Sequence, residues 1–191
     1  MTKSRVEAFS DGVIAIIITI MVLELRMPHE PTLAALSPIW PVLVSYLLSF
    51  IFLGIYWNNH HHLFQAVHHV SGGVMWANLH LLFWLSLVPA VTSWMGSTHF
   101  AALPVSLYGV VLLGAAIAFT ILVQTLLRHH DPDSPLAKAI GSDTKGKVSL
   151  ACYIAAVPLA FVHPMIACVV YVAVAVIWLV PDRRIERVLI P

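Results

Sequence analysis

The chain has 191 residues, of which 60% are hydrophobic and only 10% charged, whereas a water-soluble domain carries about 25% charged side chains. Its formal net charge of +1 leaves no basic surplus of the kind a nucleic-acid partner demands. Several apolar runs are each long enough to cross about 30 Å of hydrocarbon as a helix, a length that a soluble core does not need.

The first run, residues 5–27, has Lys3 and Arg5 at its start as a secretory leader would. It is too long for one, contains Asp11 and has no small-residue cleavage site before Pro28, so it reads as a retained membrane helix. Pro28 and Pro31 stop it. A second span covers residues 39–58, and Gly72 and Gly73 precede a third at 74–95. The fourth, 103–127, is closed by Asp131-Pro132 and Pro135. The polar stretch 129–147 is too short to bury a core and reads as a connector. The fifth and sixth spans, 147–163 and 165–181, are short and meet at His163-Pro164. The expected fold is all-α, one six-helix transmembrane domain over residues 1–191.

Short cytoplasmic loops retain lysine and arginine. With both termini inside, Lys3, Arg5, Arg128, Lys138, Lys145, Lys147, Arg183, Arg184 and Arg187 all fall on the cytoplasmic side, and only Arg26 lies outside. An even number of spans agrees with termini on one side. No half-length repeat is visible, so any pore symmetry must come from several chains.

An ionisable residue inside a membrane helix is a functional candidate, because it needs a partner or water. The first span carries Arg5, Glu7 and Asp11 at its start and Glu24 and Arg26 at its end, with a nearly apolar centre. Carboxylates near a helix N-terminus are also favoured by the macrodipole alone. In the centre, Ile16, Thr19, Ile20 and Leu23 follow the spacing that places side chains on one helical face. Such a stripe can line an axis, where apolar rings gate ions by dewetting. It can equally serve ordinary helix packing, with Thr19 bonded to its own backbone.

Eleven histidines raise the alternatives of a metal or haem protein. His61 and His68, and His62 and His69, are seven residues apart, so one helix could offer two ligands. The cluster falls near the loop between the second and third spans, where interfacial histidines need no ligand. Only His80 lies clearly inside a span, and haem wants two axial histidines. Cys152 and Cys168 sit in apolar runs as small packing residues. Several of the tryptophans lie near span ends, where aromatic rings anchor in headgroups. No phosphate-binding loop or catalytic triad is legible, so no enzyme is expected.

The segment Arg5-Val6-Glu7-Ala8-Phe9-Ser10-Asp11 resembles the Arg-x-x-x-Phe-Ser-Asp signature of the transmembrane protein 175 family, the lysosomal potassium channels and their prokaryotic relatives. Trp57 to Phe64 is similar to that family's Trp-x-x-His-His-x-Leu-Phe stretch, and Asn78-Leu79 through Ser86-Leu87-Val88-Pro89 to its third helix. The resemblance covers the first three spans. The last three match in number and length only.

This resemblance implies a potassium channel without a Thr-Val-Gly-Tyr-Gly filter, and no such run occurs here. A single six-helix repeat implies a homotetramer around a central pore lined by the first helix. The family's hydrophobic constriction falls on Ile16 and its threonine on Thr19, with Ile20 and Leu23 as further pore-facing positions. The signature implies a structural polar network of Arg5, Phe9, Ser10 and Asp11 with Trp57, His60, His61, Asn78 and His80, which would set the rotation of the first helix. The expectation is passive potassium flow, modestly selective over sodium, in a prokaryotic plasma membrane. No cofactor or resident metal is expected, only transient potassium near Thr19. The partners are the lipid bilayer and three further copies of the chain. A secondary transporter is the main alternative, and Pro89 and Pro158 leave room for the broken helix it would need.

Overall fold

The computed structural model of the chain describes residues 2–67, 70–128 and 143–179. All regular structure in these residues is helical: α1 spans Lys3–Leu23, α2 Trp40–Gln65 after a 3-10 turn at Ala34–Ile39, α3 Gly72–Ser86, α4 Val88–Ser97, α5 Ala102–Leu127, α6 Thr144–Val162 and α7 Pro164–Leu179. Helices α3 and α4 follow one another directly, so the described residues form six helical units, the number expected. Five of the units are long and apolar enough to cross a membrane. The sixth, α7, has 16 residues and is about 24 Å long at 1.5 Å per residue.

The boundaries depart from expectation at four places. Helix α1 closes at Leu23 rather than near 27, with Glu24 N–H and Leu25 N–H reaching back to the Met21 and Val22 carbonyls. Helix α2 runs on past residue 58 to Gln65. Asn59 Nδ2 donates to the Ile55 carbonyl at 2.8 Å, and His60 finds a buried partner. His60, His61 and His62 are therefore helical rather than in a loop. The third span is interrupted at Leu87, because Pro89 has no N–H to continue the ladder. Asp143, at φ 43°, caps α6 through a side-chain bond from Gly146 N–H, so Lys145 and Lys147 belong to the first turns of α6 and not to a connector. Residues 129–142, which include Lys138, lie outside the described residues, as do 180–191 with Arg183, Arg184 and Arg187.

In lipid the hydrophobic effect does not drive helix against helix, so small residues and interhelical hydrogen bonds do that work. Helix α5 is the centre of the bundle and touches α3, α4, α6 and α7. Gly114 of α5 lies against the Trp84 ring of α3, and a Cβ at Gly96 of α4 would meet Val42 Cα of α2 at 2.7 Å. Ser49 of α2 bonds Thr92 of α4 at 2.6 Å and Tyr108 of α5 at 3.0 Å, all three buried. Helix α1 stands at the margin, packed on α2, α3 and α4. One of its faces is therefore left without a partner among the described residues.

Candidate functional site

The two faces of α1 differ sharply in exposure. Val6, Ser10, Ile14, Ile17 and Met21, spaced by three or four residues, are all buried. On the opposite side, Phe9, Ile16, Thr19, Ile20 and Leu23 are exposed, Ile16 by 58% and Leu23 by 78%. Arg5 and Gly12 extend this open stripe toward the start of the helix.

Thr19 Oγ donates its one hydrogen to the Ile16 carbonyl at 2.9 Å. Its oxygen lone pairs remain on the exposed face, available as acceptors. Backbone bonding and cation ligation are thus compatible uses of the same hydroxyl. Beside the stripe runs an open groove of about 1240 Å³ between α1 and the α3–α4 unit. Ile16 and Ile20 line one wall, and Ser86, Ser93 and Ser97 the other, with Glu24 at one end. Ser93 Oγ donates to Glu24 Oε2 at 3.2 Å.

The rotation of α1 is held by a buried polar chain. Ser10 Oγ donates to the Val6 carbonyl at 2.8 Å and accepts from Asn78 Nδ2 at 2.9 Å. Asn78 Oδ1, an acceptor only, pairs with His60 Nε2 at 2.8 Å, so this imidazole nitrogen is the donor. The ring of His60 stacks on Phe64 with centroids 4.5 Å apart. At the edge of this core, Trp57 Nε1 donates to Asp11 Oδ1 at 3.0 Å, and its ring stacks on His61. Lys3 Nζ donates to the Gln65 carbonyl at 3.2 Å, tying the start of α1 to the end of α2.

Not every residue expected in this network joins it. His80 accepts from Trp84 Nε1 at 3.0 Å, a pairing within α3 at i, i+4 that keeps it apart from the Ser10 chain. His61 touches the network only through its stack on Trp57, while its Nε2 accepts from Gln65. Phe9 is 52% exposed and Arg5 is exposed. Both belong to the open stripe, and Arg5 makes no side-chain hydrogen bond among the described residues. Among those residues, no three His, Cys, Asp or Glu side chains gather as a metal-ligand set, and the suggested ligands His68 and His69 lie outside them. Sequence reasoning did not find the Glu24 to Ser93 contact or the Ser49, Thr92 and Tyr108 cluster. The available signal was a hydroxyl within each of several apolar runs.

The family described as the endosomal/lysosomal potassium channel TMEM175 matches residues 5–89. A potassium channel of Chryseobacterium sp. (strain P1-3) is 54% identical over 187 residues, covering 98% of this chain and 97% of its own. The human endosomal/lysosomal proton channel TMEM175 is 38% identical over 79 residues, which cover 35% of this chain and 16% of that protein. The crystal structure of a lysosomal potassium-selective channel TMEM175 homolog from Chamaesiphon minutus superposes with a TM-score of 0.82 at 27% identity, over 94% of this chain and 97% of the other.

Asn78 bridges two buried partners, so Asn78→Ala strands the polar groups of Ser10 and His60 at a cost of about 1–3 kcal/mol. Thermal unfolding in detergent should show a clearly lowered midpoint, whereas Trp57→Phe, at an exposed edge, should shift it far less. Equal midpoints for Asn78→Ala and the parent protein would show that the bridge does not hold α1.

Proposed function

Because this chain belongs to the TMEM175 family of potassium channels, we propose that four copies assemble around an axis with the open stripe of α1 turned inward. The protein is a channel of this family and not an enzyme. In this arrangement Ile16, Thr19, Ile20 and Leu23 line the conduction path. The observation that carries the reading is the company the stripe keeps. A purely lipid-facing surface has no use for an outward threonine oxygen beside a groove edged by three serines and a carboxylate.

Rings of Ile16 and Leu23 offer an ion nothing to replace its hydration shell, so current flows only when the rings widen enough to stay wet. Thr19 oxygens supply weak ligands to a partly dehydrated potassium ion. Weak ligation lets the ion leave and favours potassium over sodium only modestly. Flow is passive, down the electrochemical gradient.

A prokaryotic plasma membrane with both termini in the cytoplasm suits the charge distribution. Lys3, Lys145, Lys147 and Arg128 sit at the start of α1, the start of α6 and the end of α5. The Lys3 to Gln65 bond and the 2.8 Å bond from Trp178 Nε1 to Ser149 Oγ draw the relevant helix ends together. Arg26 follows the opposite end of α1.

Two substitutions test the stripe in planar bilayers. Ile16→Asn should raise open probability or leak several-fold by wetting the narrowest ring, and unchanged current from a normally assembled protein would remove Ile16 from the gate. Thr19→Val keeps the shape and deletes the oxygen. The bi-ionic reversal potential for potassium against sodium should move toward zero, and an unmoved value would remove Thr19 from selectivity.

A further inference from the structure

A second pocket lies away from α1, walled by α2, α5, α6 and α7, a partly open cleft whose cavity proper is small, about 50 Å³. Its walls are aromatic: Phe52 and Tyr56 of α2, Phe119 of α5, Tyr153 of α6 and Trp178 of α7 all line it. These rings meet at angles. Tyr56 stands edge-on to Phe119 at 6.1 Å, and Phe52 is tilted against Tyr153 at 6.5 Å. Trp178 is fixed by the bond from its Nε1 to Ser149 Oγ.

Among the described residues, one charged residue lines the pocket, the cap of α6, Asp143. Its Oδ1 accepts from Gly146 N–H at 3.2 Å. Partial burial pushes its carboxyl above the usual range, against the opposing pull of the Gly146 bond and of Lys147. Lys147 does not line the pocket. Two polar groups on the walls are also unspent. Tyr153 is 2% exposed, and neither its hydroxyl nor that of Tyr56 makes a hydrogen bond among the described residues. Both hydroxyl oxygens keep some exposure, the enclosed unpartnered side-chain atom among the described residues being His62 Nδ1, so each can bond a ligand in the pocket.

Aromatic walls, a partly desolvated carboxylate and unpaired hydroxyls together match one ligand chemistry. Ring faces attract a cation whose own hydration is weak, and a carboxylate at the same place supplies the countercharge. We propose that this pocket binds a small organic ammonium ion, with its charge toward Asp143 and its alkyl groups against the aromatic walls. A ligand hydroxyl or N–H would engage Tyr56 and Tyr153. Bound there, the ion ties the start of α6 to α2, α5 and α7. The site involves no residue of the α1 stripe and stands or falls independently of the pore.

Such an ammonium ion has two natural sources, a free amine or the headgroup of a neighbouring lipid. Choline serves as the probe, and 3,3-dimethylbutan-1-ol is its uncharged counterpart of the same shape. Equilibrium binding to the full-length protein in maltoside detergent should detect choline and not the alcohol. Asp143→Asn retains a side-chain oxygen for the Gly146 N–H and tolerates the left-handed backbone, so it should fold and bind choline about tenfold more weakly. Trp178→Leu should weaken binding by a similar factor. Nanodiscs then separate the sources: choline binding retained in phosphatidylglycerol discs but lost when phosphatidylethanolamine is added assigns the lipid headgroup as occupant, while retention in both assigns a free amine. Equal affinity for choline and the alcohol, unchanged binding by a folded Asp143→Asn protein, or no choline binding in detergent would each overturn the proposal.

Discussion

In hydrocarbon a polar side chain has no water to turn to, and for α1 this single constraint decides the orientation. Ser10 must meet Asn78, and Asn78 must meet His60. Once that bridge forms, Val6, Ile14, Ile17 and Met21 are carried into the subunit, and the other side of the helix is left open. The open side is thus a consequence of where the polar bonds go and not of where the apolar residues are. The Asp11 to Trp57 bond and the Lys3 to Gln65 bond act in the same sense at the edge.

The remainder of the subunit makes that open side possible. Helix α5 takes the largest share of the interhelical packing, with close approach at Gly114 and the hydroxyl cluster of Ser49, Thr92 and Tyr108. Since α1 contacts α2, α3 and α4 without entering this centre, it can present its far face to other copies of the chain. On that face, an exposed isoleucine and leucine bracket a threonine whose hydrogen is already used and whose oxygen is not. Such a surface suits brief contact with a cation better than tight binding.

The number of helical units was legible in the sequence, because runs of apolar residues between Pro, Gly and charge need little else to be recognised. So was the grouping of Ile16, Thr19, Ile20 and Leu23 on one face, which follows from helical spacing. Which face of α1 packs within the subunit was not legible from hydrophobicity, since a membrane helix is apolar on all sides. Only Ser10 and its partners carry that information. The length of α2 was missed because Asn59 and His60 look like loop residues until their bonds to Ile55 and Asn78 are seen. The family resemblance placed His80 in the network, but its i, i+4 pairing with Trp84 satisfies it locally. The groove beside the stripe depends on Ser86, Ser93 and Ser97, which surround the α3–α4 interruption and have no regular spacing with α1.

A cryo-EM map of the protein in lipid nanodiscs shows outright which way α1 faces in the assembled protein. The expected map has fourfold symmetry with Ile16, Thr19 and Leu23 of each copy projecting toward the axis. A map in which those side chains face lipid, or in which another helix surrounds the axis, would contradict it.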